Sequence, residues 1–118
     1  MQIGENFDGP KDLLRALQAQ ACDLVMPDVA RIGGVTGWMQ AAGVAEAHGI
    51  PLSSHLMPEV SAQLLAATPT RDWLEYVDWT DPISQEPLQI VDGHWPASER
   101  PGSGLAWDDD AVEHFRMR

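Results

Sequence analysis

Residues 23–49 read DLVMPDVARIGGVTGWMQAAGVAEAHG, and they place a strand, a turn and a helix one after another. The apolar run within Asp23–Asp28 predicts a short buried strand. Gly33-Gly34 indicates a tight turn, because glycine adopts backbone angles that other residues avoid. Apolar residues on one face predict a helix from about Val35 to Ala47, and Gly49 is typical of the residue that follows a helix. This stretch is therefore one β/α unit.

Similar units lie on both sides of this stretch. A strand over Gln2–Glu5 and a helix over Lys11–Ala21 precede it. A strand over Ile50–His55, a helix over Pro58–Ala67 and a strand over Trp73–Val77 follow it. Strands that alternate with helices of about ten residues predict parallel pairing. The predicted fold class is therefore α/β, with about four β/α units.

The number of units indicates part of a larger architecture. A complete (β/α)8 TIM-type barrel needs about 250 residues, whereas this chain has 118. Residues 1–80 are therefore predicted to form half of such a barrel, with an open strand edge at each end. A small doubly wound domain is the alternative that four parallel units allow.

Residues 81–118 break the rhythm of strands and helices. Prolines and glycines recur throughout this extension, which is typical of turns. Leu88–Val91, followed by Asp92-Gly93, is its one strand candidate. A short acidic helix is predicted at about Asp108–Phe115. We therefore treat residues 81–118 as a turn-rich C-terminal extension of the partial barrel.

The charge balance disfavours several classes of partner. Asp and Glu number 18 against 7 Lys and Arg, which gives a formal net charge of -11. Neither nucleic acid nor an anionic membrane surface is an expected partner. Cys22 is the only cysteine, so neither an intrachain disulfide nor a thiolate metal cluster is expected. The chain shows no secretory leader and no long apolar run, and we expect a cytoplasmic location.

Four acid–base side chains lie at the ends of the predicted strands: Glu5, Asp28, His55 and Glu75. They are separated by 23, 27 and 20 residues, about the length of one β/α unit. Ionisable groups at the carboxyl ends of successive parallel strands are the usual layout of a barrel active site. The pattern therefore predicts an enzyme active site, or part of one.

Asp28 and His55 are best considered as a pair. On adjacent strands at the same level, the Asp28 carboxylate would accept the Nδ1–H of His55 and leave Nε2 free as a base. The alternatives are that Asp28 caps a helix and that His55 is a core histidine. Ser53-Ser54-His55 lacks the Gly-x-Ser-x-Gly elbow of a serine hydrolase, and a serine beside the histidine in a strand faces the opposite way.

The two glutamates suggest different chemistry. Trp73 and Tyr76 flank Glu75, so the sequence predicts a desolvated carboxyl group that stays neutral and donates to a developing oxyanion. Glu5 follows Gly4, which permits a close backbone approach, and its carboxylate could bind Mg²⁺ together with oxygen donors from elsewhere. A solvated acid at a strand end, for Glu75, and a capping or loop carboxylate, for Glu5, are the alternatives.

Six motifs resemble the enolase superfamily and, within it, the mandelate racemase subgroup. They are Ile3-Gly4-Glu5-Asn6, Met26-Pro27-Asp28, RIGGVTGW at 31–38, Ser53-Ser54-His55-Leu56, LLAATP at 64–69, and Trp73-Leu74-Glu75. The extension also fits the C-terminal end of that family. The resemblance covers nearly the whole chain and implies strands five to eight of the barrel.

The resemblance implies a role for each of the four residues. Glu5 would be the third carboxylate ligand of an essential Mg²⁺. Asp28 and His55 would be the dyad that moves a proton at the α-carbon of a carboxylate substrate. Glu75 would hydrogen-bond the substrate carboxylate as an enediolate develops, so His55 and Glu75 would both contact the substrate. The implied activity is mandelate racemase-like racemisation of a 2-hydroxy carboxylate. An acid-sugar dehydratase and a non-catalytic remnant that acts as an interaction module are the alternatives.

Several parts of the family site have no counterpart in this chain. The family's second base is a lysine on the second strand, and Lys11, the only lysine here, opens a helix instead. Two further metal carboxylates and the N-terminal capping domain are also missing. We therefore expect the C-terminal half of a parent enzyme, inactive alone and partnered by the missing N-terminal half. Residues 81–118 would pack back on the capping domain, and the full-length parent is expected to be a homo-oligomer.

Overall fold

The computed structural model describes residues 1–96 and 99–117. Its regular elements, in chain order, are β1 (Gln2–Ile3), α1 (Pro10–Gln18), β2 (Leu24–Val25), α2 (Gly34–His48), α3 (Pro58–Ala66), a 3-10 helix (Asp81–Ile83) and α4 (Asp109–His114). Every predicted helix is present, with ends close to those expected. The α/β class predicted from the sequence is confirmed.

The strands lie side by side in the order of the sequence, and all of them are parallel. β1 pairs directly with β2. We call residues 50–55 the third strand segment and residues 70–75 the fourth. The third segment lies beside β2 and the residues that follow it, with a parallel bridge between Asp28 and His55. The fourth lies beside the third, with a parallel bridge between Leu52 and Arg71. The carboxyl ends of all four therefore meet at one edge.

The predicted fourth strand, Trp73–Val77, is wrong in position. Its regular pairing lies earlier, at Arg71. The Ser54 N–H donates to the Trp73 carbonyl at 2.9 Å. The Glu75 N–H then donates to the Ser54 hydroxyl, also at 2.9 Å. The ladder ends here because a side-chain oxygen takes the place of a main-chain acceptor.

The C-terminal extension contains less strand than predicted. Over Leu88–Val91, only Val91 forms a bridge, to His94. Asp92 and Gly93 between them have φ of 50° and 74°, which is typical of a two-residue reversal. The predicted terminal helix is confirmed as α4, and residues 97, 98 and 118 of the extension lie outside the described residues.

The core lies between the parallel segments and the helices α1, α2 and α3. Three alanines of α2 present small side chains to it, and Trp38 on the same helix is completely buried. The Trp38 Nε1–H donates to the Thr68 hydroxyl at 3.0 Å, which in turn donates to the Leu64 carbonyl at 2.8 Å. This buried relay ties α2 to α3. On α1 and α3, Leu14 and Val60 are only partly buried.

The glycine-rich segment before α2 forms the tight turn that was predicted. Gly33 has a φ of 103°, in the region that favours glycine. A Cβ atom at Gly37 would lie 1.9 Å from the Ile32 carbonyl oxygen. Glycine at Gly37 therefore lets the chain fold back tightly onto the first turn of the helix. Within the described residues, no helix combines the length and the apolar character that crossing a membrane requires.

Candidate functional site

The structure places the four predicted residues at the same edge of the parallel segments. Glu5 follows β1, Asp28 follows β2, His55 ends the third segment and Glu75 ends the fourth. His55 contacts both Asp28 and Glu5. Glu75 contacts the residue that follows His55. The side chains that the sequence places about one β/α unit apart are therefore neighbours.

The Asp28–His55 pair has the geometry expected of an oriented base. The Nδ1 atom of His55 lies 3.1 Å from Oδ2 of Asp28. An ionised carboxylate only accepts hydrogen bonds, so the proton of a neutral imidazole lies on Nδ1. Nε2 then has a free lone pair and can accept a proton. The predicted hydrogen bond between the two side chains is confirmed.

The second oxygen of Asp28 fixes the carboxylate from the other side. Its Oδ1 atom accepts from the backbone N–H groups of Ala30, at 2.7 Å, and Arg31, at 3.2 Å. The helix-capping alternative for Asp28 is wrong, because the N-cap of α2 is Gly33 and the two N–H groups belong to the turn before that helix. Asp28 is only 7% exposed. Its carboxylate is held between the turn and the imidazole and has little freedom to rotate.

Glu5 owes its position to Gly4. Gly4 has a φ of 137°, and a Cβ atom there would lie 3.0 Å from the backbone nitrogen of Met26. The end of β1 can therefore approach the chain beyond β2 closely, as predicted. The Glu5 Oε2 atom lies 3.6 Å from His55 Nε2, and the side chain is 56% exposed.

The donor set at Glu5 fits one position of a Mg²⁺ site. Its carboxylate offers hard oxygen atoms of the kind that Mg²⁺ prefers. Among the described residues, however, no group of three or more His, Cys, Asp or Glu side chains could hold a metal ion. The described part of the chain therefore supplies Glu5 without a cluster of further carboxylate or imidazole ligands around it.

Glu75 lies in a different environment from the one predicted. Trp73 is 73% exposed, and the Tyr76 hydroxyl donates to Asp81 at 3.0 Å. The predicted enclosure of Glu75 by these two aromatic side chains is therefore wrong. Instead, Glu75 Oε2 accepts the backbone N–H of Leu56 at 2.6 Å. The carboxylate is anchored to the turn that follows His55.

That turn is a feature that sequence reasoning missed. Leu56 and Met57 have φ of 51° and 45°, in the left-handed region that such residues rarely adopt. The signal in the sequence is Pro58, which is suited to the first turn of a helix and so requires the chain to reverse directly after His55. The residue types Leu and Met give no further indication of a left-handed turn.

The pKa shifts of Cys22 and Tyr76 lie outside the catalytic chemistry predicted above. Burial, followed by the nearby Asp23 carboxylate, raises the pKa of the Cys22 thiol. Cys22 packs against the core as a partly buried side chain. The hydrogen bond to Asp81 raises the pKa of Tyr76.

Comparison with known proteins identifies the family. The family model described as "Enolase C-terminal domain-like" matches residues 1–111. The chain belongs to this family. The superfamily predicted from the motifs is confirmed, and the half-barrel architecture is favoured over a doubly wound domain.

Two curated relatives in the enolase superfamily are acid-sugar dehydratases. The L-talarate/galactarate dehydratase of Salmonella typhimurium is 32% identical over 108 residues, which are 92% of this chain and 27% of that protein. The D-xylonate dehydratase of Haloferax volcanii is 34% identical over 120 residues, or 94% of this chain and 29% of that protein. The chain thus spans less than a third of the length of either relative.

Two solved structures of enolase family members are close in fold. One is an enolase from Bradyrhizobium, complexed with magnesium and mandelic acid, with a TM-score of 0.93 and 44% sequence identity. The match covers 99% of this chain and 32% of the Bradyrhizobium chain. The other is an enolase from alpha proteobacterium bal199 with bound magnesium, with a TM-score of 0.92 and 57% sequence identity. The match covers 96% of this chain and 31% of the bal199 chain. The metal expected from the resemblance is present in both.

Proposed function

We propose that this chain forms one wall of the active site of a Mg²⁺-dependent enzyme that removes the α-proton of a 2-hydroxy carboxylate. The observation that carries the proposal is the 3.1 Å contact between His55 Nδ1 and Asp28 Oδ2 at matched strand ends. We use "parent enzyme" for the longer protein that would contain this chain together with the remaining barrel units and the capping domain.

Each residue of the wall has one part in the reaction. His55 Nε2 accepts the α-proton, and the Asp28 carboxylate stabilises the imidazolium that forms. Glu75 lies one strand further round and would hydrogen-bond the substrate carboxylate through the oxygen that does not hold Leu56. Glu5 would hold Mg²⁺ together with two donors from the rest of the parent enzyme. When bound, this ion supplies Lewis-acid stabilisation of the charge that develops on the substrate carboxylate.

Racemisation needs a second base on the opposite face of the substrate. His55 would remove or return the proton on one face only, and the other base must lie outside these 118 residues. The mandelic acid bound by the Bradyrhizobium relative supports a 2-hydroxy carboxylate of this kind. We therefore propose mandelate racemase-like racemisation as the first candidate reaction.

Acid-sugar dehydration is the second candidate, and the curated relatives favour it. The first step is the same, because His55 again removes the α-proton. The β-hydroxyl then takes up a proton and leaves as water, and the enol that remains tautomerises to a keto acid. Whether the substrate carries a β-hydroxyl therefore decides between the two outcomes.

The chain alone should not catalyse either reaction, because it offers only one of the metal carboxylates and one of the bases. In the parent enzyme, we propose that residues 81–118 pack against the capping domain and that the parent assembles as a homo-oligomer. If the chain were only an interaction module, it would instead self-associate through its open strand edges.

The experiment follows the α-proton in the parent enzyme. Mandelate and galactarate are incubated separately in deuterated solvent with Mg²⁺, and loss of the α-proton signal is followed by NMR. Racemisation is scored by chiral chromatography and dehydration by a keto-acid reagent. We expect Mg²⁺-dependent exchange, with racemised mandelate or a keto acid as the product. Absence of exchange with both acids would contradict the proposal, and Mg²⁺-independent self-association would support the interaction module.

A further inference from the structure

Two buried serine hydroxyls have no part in the proposed chemistry. Ser53 and Ser54 are 3% and 1% exposed, so neither is open to solvent. Both accept hydrogen bonds from the fourth strand segment. Ser53 Oγ accepts the Trp73 N–H at 3.3 Å, and Ser54 Oγ accepts the Glu75 N–H at 2.9 Å. The shorter of the two bonds therefore ends on a residue of the candidate site.

Ser54 holds the fourth segment at two points. Its own N–H donates to the Trp73 carbonyl at 2.9 Å, and its hydroxyl binds the Glu75 N–H two residues further on. At this point the main-chain ladder has ended, so the hydroxyl alone continues the pairing. The Ser54 hydroxyl is thus the acceptor that holds the Glu75 N–H against the third segment.

Glu75 in turn holds the turn that follows His55. Its Oε2 atom accepts the Leu56 N–H at 2.6 Å. Leu56 and Met57 have φ of 51° and 45°, a strained arrangement that persists only where the surroundings enforce it. His55 lies between the two residues that Glu75 contacts, Ser54 and Leu56. These two contacts, together with the backbone from Ser54 to Leu56, close a loop around the candidate base.

We propose that Ser54 is a positioning residue for proton transfer. Its hydroxyl holds the backbone of Glu75 in position. From that position the Glu75 carboxylate contacts the turn after His55 and would contact the substrate. This inference rests on the proposed function, because it concerns the same reaction. A serine that only stabilises the fold would lower stability without acting through Glu75.

A double-mutant cycle in the parent enzyme separates these two roles. Ser54→Ala, Glu75→Ala and the double variant are compared by the kcat and KM of α-proton exchange with mandelate. A displacement of about 1 Å can cost about a hundredfold in rate, so Ser54→Ala should lower kcat by about ten- to a hundredfold and change KM little. If Ser54 acts through Glu75, the double variant should be no slower than Glu75→Ala.

Ser53→Ala is the matched control. It removes the neighbouring buried hydroxyl, whose partner is the Trp73 N–H. Its effect on kcat should be small, and in combination with Glu75→Ala the two fold-losses should multiply. If Ser54→Ala does not fold, Ser54→Thr and Ser54→Val replace it, since they have the same shape and only threonine keeps the hydroxyl. The proposal would be overturned if the fold-losses of kcat for Ser54→Ala and Glu75→Ala multiplied in the double variant. It would also be overturned if Ser53→Ala lowered kcat as much as Ser54→Ala does.

Amide hydrogen exchange distinguishes failure of this inference from failure of the proposed function. If the unmutated parent exchanges no substrate proton, the proposed function fails, but the positions of Glu75 and Leu56 can still be examined. In Ser54→Ala, the amides of both residues should exchange faster with solvent, whereas Ser53→Ala should leave them unchanged. Unchanged protection of both amides in Ser54→Ala would contradict the positioning role.

Discussion

The Nδ1 atom of His55 lies 3.1 Å from Oδ2 of Asp28, across a parallel bridge between the same two residues. The contact therefore follows from strand register: the two side chains face each other at the carboxyl ends of neighbouring segments. The second oxygen of Asp28 is held by two backbone N–H groups. The carboxylate can therefore orient the imidazole without rotating away.

Asp28→Asn in the parent enzyme tests this orientation. The amide oxygen of asparagine would retain the bonds to Ala30 and Arg31, which turns its NH₂ group toward His55. Nδ1 must then accept, so the proton moves to Nε2, which can no longer act as a base. We expect kcat to fall by about 10²- to 10⁴-fold, as replacement of an orienting aspartate does in comparable dyads.

Glu46→Gln is the control for Asp28→Asn. Glu46 is an exposed carboxylate of α2, so its neutralisation should leave kcat within measurement error. Steady-state kinetics and a thermal melt of both variants suffice. A kcat for Asp28→Asn equal to that of the control would show that Asp28 does not orient the base.

Gly4→Ala should destabilise the protein at the site. The added methyl would meet the backbone of Met26 at 3.0 to 3.2 Å, and a φ of 137° is unfavourable for alanine. Such strain costs about 1–3 kcal/mol, so we expect a clear fall in the free energy of unfolding of the parent enzyme. Denaturant unfolding measures it.

Gly43→Ala provides the opposite case. Gly43 lies within α2, and a Cβ atom there would meet nothing within 4 Å. Alanine favours the helix over glycine by about 1 kcal/mol. We expect a neutral or stabilising effect. If the two alanine variants had the same stability, the close approach at Gly4 would not exist.

The fold could be predicted because its strands and helices follow apolar patterns. The helix from Gly34 to His48 carries its buried residues on one face and is followed by Gly49, as expected. The register of Asp28 against His55 was also predictable, since both lie at the ends of parallel strands. Local sequence patterns were therefore sufficient to predict the architecture and the Asp28–His55 pair.

The surroundings of Glu75 could not be predicted in the same way. Its neighbours in sequence, Trp73 and Tyr76, predicted an aromatic environment for the carboxyl group. Its hydrogen-bond partner is instead the backbone N–H of Leu56, 19 residues earlier. A left-handed turn at Leu56 and Met57 is set by tertiary contacts, and residue type gives no sign of it. The end of the fourth strand at a serine hydroxyl is likewise a contact between distant residues.

Thr68→Val should destabilise the core. Thr68 is completely buried and accepts the Trp38 Nε1–H at 3.0 Å. Valine has the same shape but no acceptor, so the indole N–H would be left without a partner. The expected loss in the free energy of unfolding is about 1–3 kcal/mol.

Thr70→Val is the matched control for Thr68→Val. Within the described residues, the buried Oγ1 atom of Thr70 has no hydrogen-bond partner. Removal of an unsatisfied hydroxyl should be neutral or stabilising. Denaturant unfolding compares the two variants, and an equal loss in both would contradict the relay between Trp38 and Thr68.

Tyr76 should titrate above its ordinary range. Its hydroxyl donates to Asp81, and this bond favours the neutral phenol and raises the pKa of Tyr76. The stabilisation is fully present below the pKa of an unfolded tyrosine, about 10, and is lost as the pH rises through the folded pKa. The ultraviolet difference spectrum against Tyr76→Phe follows the phenolate. Asp81→Asn should bring the pKa back down, and an unchanged pKa in that variant would exclude Asp81 as the cause.

The most direct test of the central claim is α-proton exchange in the His55→Asn parent enzyme, with each mandelate enantiomer separately in deuterated solvent. His55 serves one face of the substrate, so exchange should be lost with one enantiomer and retained with the other, which the second base would deprotonate. Retained Mg²⁺ binding would show that the site is otherwise intact. Exchange with both enantiomers at unmutated rates would contradict the account, because His55 would then not be the base.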